Sequence, residues 1–150
     1  MLASNLWFFC ALGASIMWGL GYVITEILLK HAGLSPAFIM ASRTILLLPC
    51  FAAISLYQNQ IAKGLDVLLQ SPRYLGLLAI EAVLVMVGVF LMTHAISMKN
   101  ATTANLIEIS YPFFTAIFAY FILKDVQVNV WTGLGGLLIF AGIGLIYLKS

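Results

Sequence analysis

A carboxylate and a proline lie close together inside one apolar stretch of the sequence, residues 100–123. Glu108 is the carboxylate, and a charge in hydrocarbon costs about 2.5 kcal/mol or more, so its side chain must face protein or water. Pro112 has no backbone N–H, so the carbonyl oxygen near Glu108 loses its helical partner. Asn105 and Thr115 share the helical face of these two residues by spacings of three and four. Because loosened helices often line transporter cavities, the pattern predicts that this face borders a polar cavity.

Ionisable residues from several apolar stretches are predicted to share one membrane layer, and they are Glu26, Arg43, His94 and Glu108. At a rise of 1.5 Å per residue, each lies within about 10 Å of the same interface. In one interpretation, Arg43 pairs with Glu26 or Glu108, and the pair locks helix packing or gates one end. In the other, the same groups bind substrate or carry a proton. Because membrane charges tend to pair, the first is favoured, and Glu26, Arg43 and Glu108 are the predicted gate residues.

Glu81 lies in the third apolar stretch, nearer the other membrane interface, with no intramembrane cation at its depth. A carboxyl group of that kind can exchange a proton or meet a cationic substrate. The alternative is a neutral carboxyl that is hydrogen-bonded to a neighbouring helix. Both interpretations stay open, and Glu81 is the first choice for a proton- or cation-linked carboxylate.

Aromatic residues in the first stretch point to an organic ligand. Trp18, Tyr22 and Glu26 follow one another at steps of four, so they share a helical face. Aromatic rings with polar edges suit stacking, hydrogen bonding or cation–π contact, although ordinary helix packing gives the same spacing. The predicted substrate-binding residues are the aromatic and polar groups of these faces: Trp18, Tyr22, Glu81, Asn105 and Tyr111.

No catalytic pattern is present in the sequence. It contains no Ser/His/Asp set, no metal-ligand spacing and no phosphate-binding glycine loop. The two histidines, His31 and His94, are interpreted as a loop residue and a hydrogen-bonding residue at a helix end. The two cysteines, Cys10 and Cys50, are interpreted as small buried hydrophobic residues. We therefore expect no enzyme activity, no metal site and no cofactor.

The composition is that of a helical membrane protein. Of the 150 residues, 63% are hydrophobic and 8% are charged, and the mean hydropathy is +1.11. Soluble domains carry about 25% charged residues. The net charge of +2 without a basic cluster argues against a nucleic-acid partner. The predicted fold class is an all-α membrane protein.

Five apolar stretches are long enough to cross a bilayer as helices, since about 20 residues suffice. The predicted helices cover about 6–29, 36–56, 74–97, 101–123 and 128–147, in a single domain over 1–150. Short connectors make successive helices antiparallel neighbours. The longer connector, Tyr57 to Arg73, forms either a short amphipathic helix on the membrane surface or an irregular loop.

Lys and Arg are evenly divided between the two sides of the membrane. The side of the N-terminus carries Lys63, Arg73 and Lys124, and the opposite side carries Lys30, Lys99 and Lys149, so the count is three against three. Orientation normally follows an excess of such residues in the cytoplasmic loops. The protein either inserts both ways and pairs with an inverted copy, or forms one half of an inverted-repeat transporter with a separate chain. Orientation set by other features is the third possibility.

Several short motifs together resemble the EamA domain of the drug/metabolite transporter superfamily. They are Trp18-Gly19, Ser35-Pro36, Arg43, Ala95-Ile96 with 101–104, Tyr111-Pro112 and a glycine-rich fifth stretch. Each motif is weak alone, but their order and spacing are fairly specific and cover essentially the whole chain. Where the family usually has a glutamate after the fourth helix, this sequence has Asp125, which keeps the charge.

The resemblance implies a transporter. Most family members resemble two fused five-helix domains with inverted symmetry, a central cavity and alternating access, and this sequence has one such domain. We expect a secondary transporter of small organic metabolites or drugs in the cell membrane, the bacterial inner membrane in particular. It would work as an antiparallel, dual-topology homodimer or with a second five-helix domain, surrounded by the lipid bilayer. The alternatives are a subunit of a heteromeric small transporter or lipid flippase, and a membrane scaffold without transport.

Overall fold

The computed structural model describes residues 6–124, 126 and 128–149, and these residues form helices and connectors without a strand. In chain order the helices are α1 (Leu6–Lys30), α2 (Pro36–Tyr57), α3 (Ile61–Gln70), α4 (Pro72–Met98), α5 (Ala101–Glu108), α6 (Tyr111–Leu123) and α7 (Val130–Lys149). The connector between α6 and α7 includes Asp125, which lies outside the described residues.

Five segments of the described chain are long and apolar enough to cross a membrane. They are Leu6–Lys30, Pro36–Tyr57, Pro72–Met98, Ala101–Leu123 and Val130–Leu148. The prediction of an all-α membrane protein with five spanning helices is therefore confirmed.

Polar side chains mark where several helices begin. The Ser35 hydroxyl accepts a hydrogen bond from the Phe38 backbone N–H at 3.3 Å, and Pro36 follows as the first residue of α2. The Asn100 side-chain oxygen accepts from the Thr103 backbone N–H at 2.7 Å at the start of α5. Such caps satisfy N–H groups that have no partner inside the helix.

The fourth span is interrupted at Ile109 and Ser110, which we call the α5–α6 break. Pro112 lies in the first turn of α6 and cannot donate to the carbonyl of Glu108. The Phe113 N–H donates to the Ser110 carbonyl at 3.0 Å, a shorter loop than the helical one. The structure thus places the interruption just ahead of the proline.

The segment between α2 and α4 is helical, which decides between the two alternatives left by the sequence. Its apolar side chains Leu65 and Leu69 are exposed, the latter by 79%, while Asp66 and Gln70 share a hydrogen bond of 2.6 Å elsewhere on the helix. An amphipathic helix with an uncovered apolar face is typical of a segment that lies in a membrane interface.

The chain forms two compact units. The terminal unit comprises Met1–Ile24 and Met98–Ser150, and the central unit comprises Thr25–Ser97. In the described part of the terminal unit, small side chains are buried, among them Ala101, Ala104 and Ala119. In the central unit, Leu29, Ile39 and Ile96 are buried together with Thr25 and Thr93. Most large apolar side chains are exposed, as expected for surfaces that lipid or another protein covers.

Candidate substrate and ion site

Two aromatic rings on α1 form the first part of the candidate site. The ring centroids of Trp18 and Tyr22 are 5.8 Å apart, with an angle of 41° between the ring planes. They lie one helical turn apart, which brings their side chains onto one face. Trp18 is 54% exposed, so much of its ring surface remains open to a ligand or a neighbouring protein.

A hydrogen bond joins this aromatic pair to the α5–α6 break. The Tyr22 hydroxyl donates to Oε1 of Glu108 at 3.0 Å, in a partly buried position of the terminal unit. Hydrogen bonds to an ionised acceptor are stronger than those between neutral groups. The structure therefore assembles Trp18, Tyr22 and Glu108 into one continuous polar and aromatic cluster, which we call the α1–α5 cluster.

Asn105 and Tyr111 lie on either side of Glu108, each three residues away along the chain. Asn105 is half-buried, and its backbone carbonyl accepts from the Ile109 N–H at 3.0 Å. Tyr111 is the first residue of α6 and is 62% exposed. Their predicted contact with substrate stays a prediction.

In the central unit, Arg43 has a hydroxyl partner. Its Nη2 donates to Oγ1 of Thr25 at 3.0 Å, and Thr25 is only 2% exposed. Glu26 accepts a hydrogen bond from Lys30 Nζ at 2.8 Å, an ion pair within α1. The predicted gate role of Arg43, Glu26 and Glu108 stays a prediction. Sequence reasoning missed Thr25, although its place beside Glu26 and the need of a membrane guanidinium for a partner were usable signals.

Glu81 stands on the surface of α4. Its side chain is exposed and makes no hydrogen bond or ion pair with another described residue. His94, further along α4, is exposed as well and stacks on Phe90 with 6.3 Å between the ring centroids. Water, a ligand or a second protein against this face would stabilise a charged carboxyl group, since a charge in hydrocarbon is costly.

Two apolar cavities, one in each unit, were not foreseen from the sequence. The larger, of about 620 Å³, lies between α6 and α7, where Phe113 and Tyr120 face Gly133 and Gly136. The smaller, of about 420 Å³, lies between α2 and α4. None of the predicted substrate-binding residues lines either cavity. The glycines of α7 were a usable signal, since residues without side chains leave open space beside a helix.

Metal-binding clusters of the usual kind are not found among the described residues, which hold no group of three or more His, Cys, Asp or Glu side chains suited to one ion. Cys10 and Cys50 are free and exposed, so the expectation that they are buried was wrong.

Comparison with known proteins gives one match. The family model of the EamA-like transporter family matches residues 5–148. No curated protein and no solved structure matches the chain. The match covers nearly the whole sequence and every helix that the structure describes except the last residue of α7.

Proposed function

This chain belongs to the EamA-like transporter family, and from that membership we propose that it carries small organic metabolites or drugs across the bacterial inner membrane. The protein would work as a secondary transporter, by alternating access, in an antiparallel dimer. The five spanning helices supply the multi-pass membrane domain that such transport requires.

The observation that carries this proposal is the α1–α5 cluster. It combines an exposed indole face, a phenol ring and a partly buried carboxylate within one unit. Apolar ring faces with a few fixed polar groups are the usual chemistry of small-molecule sites. A carboxylate beside aromatic rings favours substrates with a cationic or hydrogen-bonding group, since both interactions gain strength away from water.

The exposure of Glu81 supports a dimer. Its carboxyl group lies on the outer surface of a membrane-spanning helix without a partner among the described residues. A second copy that covers this face, with a water-filled chamber between the protomers, would keep the group out of hydrocarbon. In that chamber Glu81 is the carboxylate that we propose for proton or cation linkage.

The antiparallel arrangement rests on the even distribution of Lys and Arg. Each side of the membrane carries three Lys or Arg residues. Insertion therefore has no strong preference for one orientation of the chain. Two oppositely inserted copies would reproduce the inverted symmetry on which alternating access depends in many transporters.

Ligand binding at the α1–α5 cluster is testable by tryptophan fluorescence. The chain has three tryptophans, so replacing Trp7 and Trp131 with Phe leaves Trp18 as the reporter. In purified protein, we expect members of a panel of organic cations, amino acids and nucleosides to change the Trp18 emission in a saturable way. The Tyr22→Phe change in the same background should weaken that response, while Tyr57→Phe, at a surface position that is 89% exposed, should not.

Transport itself is tested in proteoliposomes loaded with the compounds that bind. Saturable counterflow of a labelled compound is the expected result. Binding without any counterflow, together with co-purification of a different five-helix protein, would support the alternative of a heteromeric transporter or lipid flippase. No saturable binding and no counterflow across the panel would contradict the proposed function.

A further inference from the structure

The α5–α6 break leaves backbone oxygens without hydrogen-bond donors. Among the described residues, neither the Glu108 carbonyl nor the Ile109 carbonyl accepts a backbone hydrogen bond. Pro112 has no N–H to donate to the Glu108 carbonyl. The Phe113 N–H donates to the Ser110 carbonyl instead of the Ile109 carbonyl. Carbonyls freed by a broken helix are ligands for coupling cations in membrane transporters.

The Glu108 side chain supplies a carboxylate on the same residue as the first of these carbonyls. Oε1 accepts from the Tyr22 hydroxyl at 3.0 Å, and Oε2 has no partner among the described residues. Within those residues, every buried polar side-chain atom has a partner, and Glu108 is half-buried. Oε2 is therefore accessible rather than enclosed, as an ion-binding oxygen must be.

The spanning segments of the terminal unit contain no basic residue to neutralise this carboxylate. No Lys or Arg occurs in residues 6–24, 100–123 or 128–148. A carboxylate at membrane depth is costly, so a positive ion beside it would stabilise the unit. One carboxylate with neutral carbonyl oxygens offers a single negative charge, which matches a monovalent cation better than Ca²⁺, whose sites collect several carboxylates.

We propose that the α5–α6 break is a Na⁺ site, formed by the Glu108 carboxylate and the freed carbonyls of Glu108 and Ile109, with Tyr22 holding the carboxylate in place. The inference rests on the proposed transport function and deepens it, because it adds Na⁺, bound at Glu108, as a coupling ion beside the linkage proposed for Glu81. Tyr22 is a positioning residue, and through its ring contact with Trp18 it links the ion to the organic ligand.

The proposal is tested by thermal unfolding of the full chain in detergent, with sodium chloride exchanged for choline chloride at constant ionic strength. Na⁺ is the probe, and no organic substrate is needed. Since a ligand that binds the native state stabilises it by mass action, Tm should rise by about 5 °C or more once Na⁺ exceeds its Kd by about 100-fold. K⁺, which is larger, should give a smaller rise at the same concentration.

Two variants separate the side-chain ligand from the backbone ligands. Glu108→Gln removes the charge at nearly constant size and should abolish the Na⁺-dependent rise in Tm. Pro112→Ala restores an N–H that can donate to the Glu108 carbonyl, so it should raise the apparent Kd for Na⁺ several-fold while leaving the carboxylate intact. The matched control is Asp66→Asn, which removes an exposed carboxylate of α3 and should leave the rise unchanged.

The proposal is overturned if wild-type protein gives the same Tm in sodium and choline chloride, or if Glu108→Gln keeps the full Na⁺ response. Counterflow in proteoliposomes that is indifferent to Na⁺ would overturn the coupling role of the ion and leave the transport function standing. Loss of both binding and counterflow would contradict the proposed function instead.

Discussion

Glu108 illustrates how a single charged residue is accommodated inside an apolar helix. Its carboxylate receives a hydroxyl hydrogen bond of 3.0 Å from Tyr22, and it lies where the helix is already interrupted. In the central unit, the Arg43 guanidinium similarly donates a hydrogen bond to the buried Thr25 hydroxyl. Each ionisable group has a neutral hydroxyl partner, which lowers the cost of burial without cancelling the charge.

The hydrogen bond between Tyr22 and Glu108 should have a measurable effect on stability. We expect Tyr22→Phe to lower the free energy of unfolding by about 0.5–2 kcal/mol, because the carboxylate loses its donor while the ring packing is kept. Unfolding in mixed micelles with increasing denaturing detergent measures the difference. Tyr57→Phe removes an exposed hydroxyl and should change the free energy little; equal losses in the two variants would argue against a special role for the Tyr22 bond.

Glu81 should affect transport rather than folding. An amide cannot exchange a proton, so Glu81→Gln should abolish the pH dependence of counterflow while the protein still reaches the membrane. Counterflow measured over a pH series in proteoliposomes checks this expectation, with Asp66→Asn as the control carboxylate outside the spanning helices. An unchanged pH profile in Glu81→Gln would remove the proposed linkage role.

At the level of the helices, polar residues cap the N-termini of two helices, and a proline accompanies the break in the fourth span. Ser35 and Asn100 cap α2 and α5, and Pro112 divides the fourth span into α5 and α6. Pro49, by contrast, lies inside a continuous α2. A proline alone is therefore not enough to break a spanning helix. In the fourth span, the break also involves hydrogen bonds between residues three apart, from Ser110 to Ile107 and from Phe113 to Ser110.

The cap of α5 should be important for the site that follows it. Asn100→Ala removes the 2.7 Å hydrogen bond to the Thr103 N–H and should cost about 1 kcal/mol of stability. The same detergent titration measures the loss. Thr102→Ala is the matched control, because the exposed Thr102 side chain makes no hydrogen bond with another described residue. A loss as large in Thr102→Ala would show that α5 responds to any change in its first turn.

For the chain as a whole, the exposed apolar side chains and the even distribution of Lys and Arg are typical of a protein surrounded by lipid or by other proteins. Large side chains such as Trp7, Ile45 and Leu84 are at least 66% exposed, which only lipid or another protein can accommodate. The even Lys and Arg count leaves the choice of orientation to small differences.

Orientation in cells should therefore be mixed and easily shifted. Reporter tags on each terminus should detect both orientations of the wild-type protein. Gln58→Lys adds a positive charge to a connector on the N-terminal side and should move the population toward one orientation, while His31→Lys, on the opposite side, should move it the other way. A wild-type population with one orientation, unmoved by either change, would argue against the dual-topology dimer.

The fold class and the five spans could be predicted from the sequence, because the length of an apolar run with few charges specifies membrane insertion locally. The sequence also placed Glu108 beside a proline-weakened helix, since both residues belong to one short segment. The amphipathic segment after α2 was left undecided, because a ten-residue helix has too few residues for its pattern to exclude a loop.

The hydrogen-bond partners of the ionisable side chains could be read only from the folded structure. Helical periodicity gives the face that a residue occupies, but not which neighbouring helix meets that face or at what rotation. The sequence offered Glu26 or Glu108 as a partner of Arg43, and that pairing stays a prediction. The hydrogen bonds from Tyr22 to Glu108 and from Arg43 to Thr25 were not foreseen. Such pairings depend on distances between segments far apart in the chain, which no local pattern encodes.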